Sequence, residues 1–125
     1  MKATELMIGN LVKCRESSCQ GHRVDFVNEM NGEVGVDGEI LNLDMVYPIP
    51  LTPEILEKNG WEYNNFNNET MYDEEYYVNE DGFDIHIDGK KFEVRCIDAV
   101  NIQLKYLHEL QNALKLCGIE KEIEL

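Results

Sequence analysis

The segment KYLHELQNALKLC, residues 105–117, is the element on which the rest of the predicted fold is built. Leu107, Leu110, Leu114 and Cys117 recur in it at spacings of three, four and three residues. This spacing places the four side chains on one face of an α-helix. The stretch is therefore predicted to be a helix with one apolar face.

The predicted C-terminal helix spans about residues 104–117 and is ended by Gly118, which suits the left-handed position after a helix. A helix of this length is marginal in isolation, so its apolar face must dock against other elements. We expect it to be the central element of the hydrophobic core. The other expected core side chains are apolar residues of the predicted strands and of a second helix: Leu11, Val24, Phe26, Leu51, Ile55, Leu56, Trp61, Ile85, Ile87, Phe92 and Val94.

The rest of the chain predicts an α+β fold in a single domain, residues 1–125. Short alternating segments separated by Asn-Gly and Asp-Gly turns favour curled antiparallel β-sheets, with an SH3-like N-terminal part. Thr52 precedes a proline and a glutamate, which is typical of a helix start. The predicted organisation is a small β unit at 1–51, a short central helix at 52–60, an antiparallel sheet at 61–97 and the C-terminal helix at 104–117.

Charge predicts the register of one hairpin within the second sheet. A two-residue turn at Gly89-Lys90 places Asp88 opposite Lys91 and His86 opposite Glu93. Cross-strand pairs of opposite charge contribute about 0.2–1 kcal/mol each, and several together should select the register. We therefore predict the Gly89-Lys90 turn.

The charge of the chain limits its partners. It has 25 acidic and 11 basic residues, for a net charge of −14. Such a surface repels nucleic acid and anionic membranes, because binding to phosphate needs clustered Lys and Arg. We expect no direct nucleic-acid binding, no membrane association and, if there is a macromolecular partner, a basic protein.

The compartment is predicted from the cysteines and the N-terminus. Cys96 and Cys117 fall at apolar positions of a predicted strand and helix, where reduced side chains pack well. The N-terminal residues lack the apolar run of a signal peptide, and no window is long enough for a membrane span. We expect a cytoplasmic protein with reduced thiols.

Three segments together resemble a known family: ELMIGNLV at 5–12, PIPLTPEILEKNGW at 48–61 and YLHELQNAL at 106–114. They are similar to a family of small proteins of gut Bacteroidales bacteria and of their phages and mobile elements. The family has no assigned activity, so the resemblance implies an intracellular accessory protein and provides no catalytic residues. Its members have a short polar loop after the first strand, where this chain has two cysteines and a histidine.

Those residues, Cys14, Cys19 and His22, are the nearest approach to a zinc site. A structural zinc site needs four soft or imidazole ligands, and no second Cys/His pair follows. The alternatives are a metal site, a Cys14–Cys19 disulfide and a plain loop, and the missing ligands favour the loop. No cofactor is predicted.

A second candidate is the row Asp84, His86 and Asp88, which period-two alternation places on one strand face. Such a row suits a hard metal ion or acid–base chemistry in a small metal-dependent enzyme. Ion-pair ladders produce the same pattern. The predicted hairpin sets Lys91 and Arg95 near the row, so we favour the ladder.

His108 lies on the polar side of the predicted C-terminal helix with Glu109, Gln111 and Asn112. No nucleophile, base and orienting group can be named around it. We therefore expect this polar face to hold the backbone of a neighbouring loop.

The residues from 59 to 89 include nine acidic side chains and neither Lys nor Arg. Aromatic side chains surrounded by one sign of charge can anchor and steer a partner, although such runs are often only a solvated face. We predict a non-catalytic interaction module, and an imitation of DNA charge is one form of it; a metal-dependent enzyme or metal-binding protein and a structural homo-oligomer are the alternatives. The predicted binding residues are Tyr63, Tyr72, Asp73, Glu74, Glu75, Tyr76 and Tyr77.

Overall fold

The computed structural model describes residues 6–14, 21–67, 73–89, 91–95 and 101–125. Two five-stranded antiparallel sheets and two α-helices occupy these ranges, which confirms the predicted α+β class. The first sheet contains β1 (Leu11–Cys14), β2 (His22–Asn28), β3 (Glu33–Val36), β4 (Glu39–Asn42) and β5 (Val46–Pro48), in the order β4-β3-β2-β1-β5. The second contains β6 (Glu62–Asn67), β7 (Asp73–Val78), β8 (Ile85–Asp88), β9 (Lys91–Arg95) and β10 (Asn101–Leu104), in the order β10-β9-β8-β7-β6. Helix α1 (Pro53–Lys58) lies between the sheets in sequence, and α2 (Leu107–Leu116) follows β10.

The first sheet is a meander whose last strand returns to its first. After β4, a 3₁₀ turn at Leu43–Met45 brings β5 back beside β1. The sheet encloses a small core of branched side chains, as expected for β-branched residues on a pleated surface. This core consists of Leu6, Val12, Val24, Val34, Val36 and Val46. The SH3-like character expected for this unit stays a prediction.

Phe26 does not join that core, contrary to the prediction. A register shift between Val24 and Phe26 interrupts the alternation of β2, so the two side chains no longer share a face. Phe26 is 44% exposed and lies opposite Gly35 of β3. A Cβ added at Gly35 would stand 3.0 Å from the Phe26 Cβ, so the glycine leaves room for the ring.

The hairpin β8–β9 has the predicted register. Asp88 is paired with Lys91, Ile87 with Phe92, and His86 with Glu93. This is the pairing that the Gly89-Lys90 turn requires, although Lys90 itself lies outside the described residues. The charges of exposed residues therefore identified the register correctly.

Both helices end in the same capping motif. The Trp61 N–H donates to the Leu56 carbonyl at 3.0 Å, and the Ile119 N–H donates to the Leu114 carbonyl at 2.9 Å. The glycine before each donor has a φ of +94° or +72°, which L side chains rarely adopt. Both contacts are those of a Schellman motif, and the second confirms the helix end predicted at Gly118.

Helix α2 packs on the second sheet through Leu107, Leu110 and Leu114, which are fully buried. This confirms the predicted docking of its apolar face. It begins three residues later than predicted, because Leu104 still pairs with Phe92 in the sheet. Just before the helix, the carboxylate of Glu109 accepts hydrogen bonds from the backbone N–H groups of Lys105 and Tyr106 at 3.0 and 2.8 Å.

Cys117 is exposed, although the helical spacing predicts it on the buried face. It is the C-cap of α2, with φ −86° and ψ 3°. The helix has ended there, so the helical period no longer fixes where the side chain points.

The polar side of α2 holds the loop before β1, as the sequence predicts. The Leu11 N–H donates to Gln111 Oε1 at 2.8 Å, and Gln111 Nε2 donates to the Gly9 carbonyl at 3.3 Å. Beside them, Asn10 Nδ2 donates to Asn112 Oδ1 at 2.8 Å. The same helix therefore packs on the second sheet through leucines and holds the loop before β1 through amides.

His108 belongs to this structural arrangement. It is buried, and its ring stacks on Tyr106 with centroids 5.8 Å apart. The structural role predicted for it fits this position.

The C-terminal segment, residues 119–125, forms no strand but is held against the rest of the fold. Ile123 is 1% exposed and lies in the core that contains the three buried leucines of α2. Asn59 accepts a hydrogen bond from the Glu124 N–H at 2.7 Å and donates to the Glu124 carbonyl at 2.8 Å. The Asn59 side chain thus makes the two backbone hydrogen bonds that a neighbouring strand would otherwise make.

Candidate protein-interaction site

The residues predicted to bind a partner are divided between two faces of the second sheet. Strands β6 and β7 are paired, with Tyr63 opposite Tyr77. Because successive side chains of a strand point to opposite faces, Glu75 and Tyr77 lie on the inner face, which packs towards the helices. Glu74 and Tyr76 lie on the outer face. Asp73 begins β7, and Tyr72 lies outside the described residues.

Tyr77 is buried, with 5% of its surface exposed, so it is part of the core and not of a docking surface. Its ring meets Phe92 edge-on with centroids 6.1 Å apart and forms part of an apolar groove of about 360 Å³. Burial raises the pKa of its phenol, and the charges of Glu57, Glu54 and Glu75 raise it further. Three carboxylates therefore act on the Tyr77 phenol.

Tyr63 is the exposed aromatic of the inner face. It is 49% exposed, and its hydroxyl donates to Glu75 Oε1 at 2.9 Å. Its ring also contacts Tyr77 edge-on, with centroids 5.9 Å apart. The hydrogen bond to Glu75 is the main cause of a raised pKa at Tyr63, and burial and the charge of Glu75 add to it. The ring is therefore fixed while part of its surface stays open to solvent.

A similar pair lies on the outer face. The Tyr76 hydroxyl donates to Glu74 Oε2 at 3.4 Å, which is a longer contact than the one on the inner face. The Tyr76 ring lies 5.0 Å from the ring of His86, which is its partner on β8. On the far side of His86 lies Glu93, with 3.9 Å between Nδ1 and Oε2.

We call these two Tyr–Glu pairs, together with Glu62 on the neighbouring strand, the β6–β7 corner. It presents one tyrosine hydroxyl bonded to one glutamate on each face of the sheet edge. The sequence from 59 to 89 contributes no Lys or Arg that could neutralise it. Such an arrangement suits cationic side chains, because carboxylates attract them and aromatic faces bind them by cation–π contact. The corner consists of Glu62, Tyr63, Glu74, Glu75 and Tyr76.

Two residues of the row Asp84, His86 and Asp88 have partners on the neighbouring strand. Asp88 is opposite Lys91, and His86 faces Glu93. Asp84 and His86 line an open cleft of about 500 Å³ that also includes Glu74 and Glu93. Within the described ranges, no group of three His, Cys, Asp or Glu side chains could hold a metal ion.

Cys14 and His22 lie on neighbouring strands of the first sheet, and Cys19 lies outside the described residues. His22 Nδ1 is paired with Asp37 Oδ2. Burial raises the pKa of the Cys14 thiol, and the charges of Asp37 and Glu39 raise it further. A raised pKa favours the protonated thiol, whereas a metal ligand must be the thiolate.

The predicted binding residues include Tyr63, Glu74, Glu75 and Tyr76 of the corner but not Glu62, and the prediction did not divide them between two faces. The alternation of side chains along β7 could have shown this division. Glu74 and Tyr76 are two residues apart and share a face, and Glu75 between them lies on the other face. The pairing of Tyr63 with Glu75 depends on the β6–β7 register, which no local pattern specifies.

Comparisons with known proteins found no relative of this chain. The chain matches no protein-family model, and neither curated proteins nor solved structures gave a match. Neither helix in the described parts of the chain has the length and apolar composition needed to cross a bilayer.

Proposed function

We propose that the protein is a non-catalytic interaction module that binds a basic protein through the β6–β7 corner. The observation that carries this proposal is the presence of one Tyr–Glu pair on each face of a single sheet edge, within a stretch that lacks Lys and Arg. A lysine or arginine of a partner would find a carboxylate and an aromatic ring together at either face.

The charge of the whole chain supports the same partner. A net charge of −14 attracts basic proteins over a distance and accelerates their encounter. The corner then supplies the local contacts, in which a tyrosine contributes contact area at a small cost in conformational entropy. Binding of this kind weakens with added salt, because exposed charges are screened.

The biological setting proposed here follows from the family resemblance and not from the site. It is that of a cytoplasmic accessory protein of a phage or mobile element. Its partner would then be a basic protein met inside the cell, and a DNA-binding protein is the clearest example of that chemistry.

Fluorescence anisotropy with a labelled peptide rich in lysine and arginine tests the proposal. The double variant Glu74→Gln/Glu75→Gln should weaken binding about fivefold, since each exposed ion pair contributes about 0.2–1 kcal/mol. The control Glu29→Gln/Glu39→Gln removes the same charge from exposed positions in the β2–β3 turn and on β4, and should change affinity little. Equal losses in both variants, or no binding by the wild type at low salt, would overturn the proposal.

A second candidate function, a structural homo-oligomer, is favoured by one observation on the first sheet. Phe26 and Ile40 flank Gly35 on three adjacent strands, and both side chains are exposed. An apolar row beside the edge strand β4 is a surface on which a second copy could pack. Sedimentation velocity at rising concentration tests this candidate, and Phe26→Ser should abolish any dimer it reveals.

A further inference from the structure

Among the described residues, strand β6 has an open edge. Within the described residues it pairs with β7 alone, and it is the last strand of its sheet. Glu62, Tyr63, Asn64 and Asn65 are all exposed, although they alternate between the two faces. Solvent therefore reaches this strand from both faces as well as from its free side.

This edge has few of the features that usually prevent strand pairing. Natural edge strands are blunted by short length, proline, charged side chains (above all lysine) or a bulge. β6 has six residues, with Glu62 as its one charge and with neither proline nor lysine, and its pairing with β7 runs without a break from Glu62–Val78 to Asn67–Asp73. The other edge strands are shorter, with three residues in β5 and four in each of β4 and β10.

We propose that the edge of β6 takes up an extended, basic segment of the partner as an additional strand. This inference rests on the proposed function and names the conformation of the partner. Backbone groups on the free side of β6 would pair with the segment, as in other cases of strand addition. Side chains of the added strand would then lie beside Tyr63 and Asn65 on the inner face, and beside Glu62 and Asn64 on the outer face.

Charge favours a basic segment over a second copy of this chain at the same edge. Two copies paired through β6 would bring Glu62, Glu74 and Glu75 of each chain close to those of the other. The stretch from 59 to 89 has no cation to offset this repulsion. A partner strand with lysine or arginine at alternate positions relieves it instead.

Peptides that differ only in their backbone N–H groups test this inference. The probe is a synthetic peptide of alternating lysine and valine, long enough to span β6. One analogue carries N-methyl groups along one edge only, and a second carries them along both edges, so charge and side chains are unchanged. Strand addition predicts that the first analogue binds, because its other edge remains free, and that the second binds about tenfold or more weakly, because no backbone pairing is left.

Hydrogen exchange supplies the protein-side measurement. On binding the unmodified peptide, amides of β6 should exchange more slowly, and the doubly methylated analogue should not protect them. If all three peptides bind equally, the corner binds basic segments without strand pairing, so this inference fails while the proposed function stands. If none binds, the proposed function fails as well. If the chain alone forms a dimer that protects β6, the occupant is a second copy and the inference is wrong.

Discussion

The two sheets have the same number of strands and the same antiparallel pairing, but they differ in what they bury. The first encloses a small core, mostly valine, and both signs of charge lie on its strands. The second carries Trp61, three leucines of α2 and Ile123 in a much larger core. Its outer edge at β6 is nonetheless open and acidic. Stability and the proposed binding surface thus belong mainly to the same sheet, with the core on its inner side and the corner at its margin.

The contacts of α2 show the same contrast. Its leucines pack on the second sheet, and Gln111 and Asn112 hold the loop before β1. Apolar burial tolerates small shifts, whereas a buried amide needs its partners at hydrogen-bond distance. The loop before β1 is therefore positioned by a few specific bonds, whereas the leucines make a broad apolar contact that also includes Leu11 of β1.

The largest expected effect comes from removing a leucine from the broad contact. Leu110→Ala should lower the free energy of unfolding by about 2–5 kcal/mol, since the side chain is fully buried. Leu116→Ala, on the same helix but 76% exposed, should change it by less than about 0.5 kcal/mol. Urea denaturation measures both, and equal losses would mean that α2 is not docked as described.

The next effect concerns the hydrogen bonds between α2 and the loop before β1. Gln111→Leu leaves the Leu11 N–H and the Gly9 carbonyl without these partners, which should cost about 1–3 kcal/mol. Native-state hydrogen exchange should show β1 losing more protection than β8. Gln103→Leu, at an exposed position, is the control. Equal loss in both sheets would show that the amide contacts do not position the first sheet specifically.

A smaller effect is expected where the C-terminal segment is held. Asn59→Ala removes both bonds to the backbone of Glu124 and should cost about 1–2 kcal/mol. It should also open the segment to limited carboxypeptidase digestion. Asn65→Ala, an exposed asparagine, serves as the control. Digestion at the wild-type rate in the Asn59 variant would contradict the assigned role.

The smallest expected effect is a titration within the corner. The pKa of Tyr63 is raised above its ordinary value near 10, mainly by the hydrogen bond to Glu75. A phenol that holds its proton more tightly in the folded state stabilises the fold below the unfolded pKa, and this contribution is lost as the pH rises through the folded pKa. Glu75→Gln should therefore lower the pKa of Tyr63, as followed by NMR of labelled tyrosine rings. Glu74→Gln is the matched control, and an equal shift in it would contradict the pairing of Tyr63 with Glu75.

Local patterns predicted the parts of the fold that depend on neighbours in sequence. The leucine spacing predicted α2, Gly118 predicted the end of that helix, and opposite charges predicted the β8–β9 register. The pattern failed at Phe26 because a shifted register breaks the alternation, and at Cys117 because the helix has already ended. Periodicity assumes an uninterrupted element, and both residues lie where that assumption no longer holds.

The candidate site was less predictable, because its contacts join distant residues. Composition identified the acidic and aromatic segment, but only the strand pairing shows that Tyr77 is buried while Tyr63 is exposed beside it. The hold of Asn59 on the C-terminal segment joins residues 65 positions apart. No spacing in the sequence encodes such a contact.

The most direct test of the account is a chemical-shift map of the uniformly ¹⁵N-labelled protein titrated with the lysine- and arginine-rich peptide. We predict that the perturbed amides lie in β6 and β7, at 62–65 and 74–78, and that the first sheet is unaffected. Perturbations spread evenly over both sheets, or concentrated around Phe26 and Ile40, would contradict the assignment of partner binding to the β6–β7 corner.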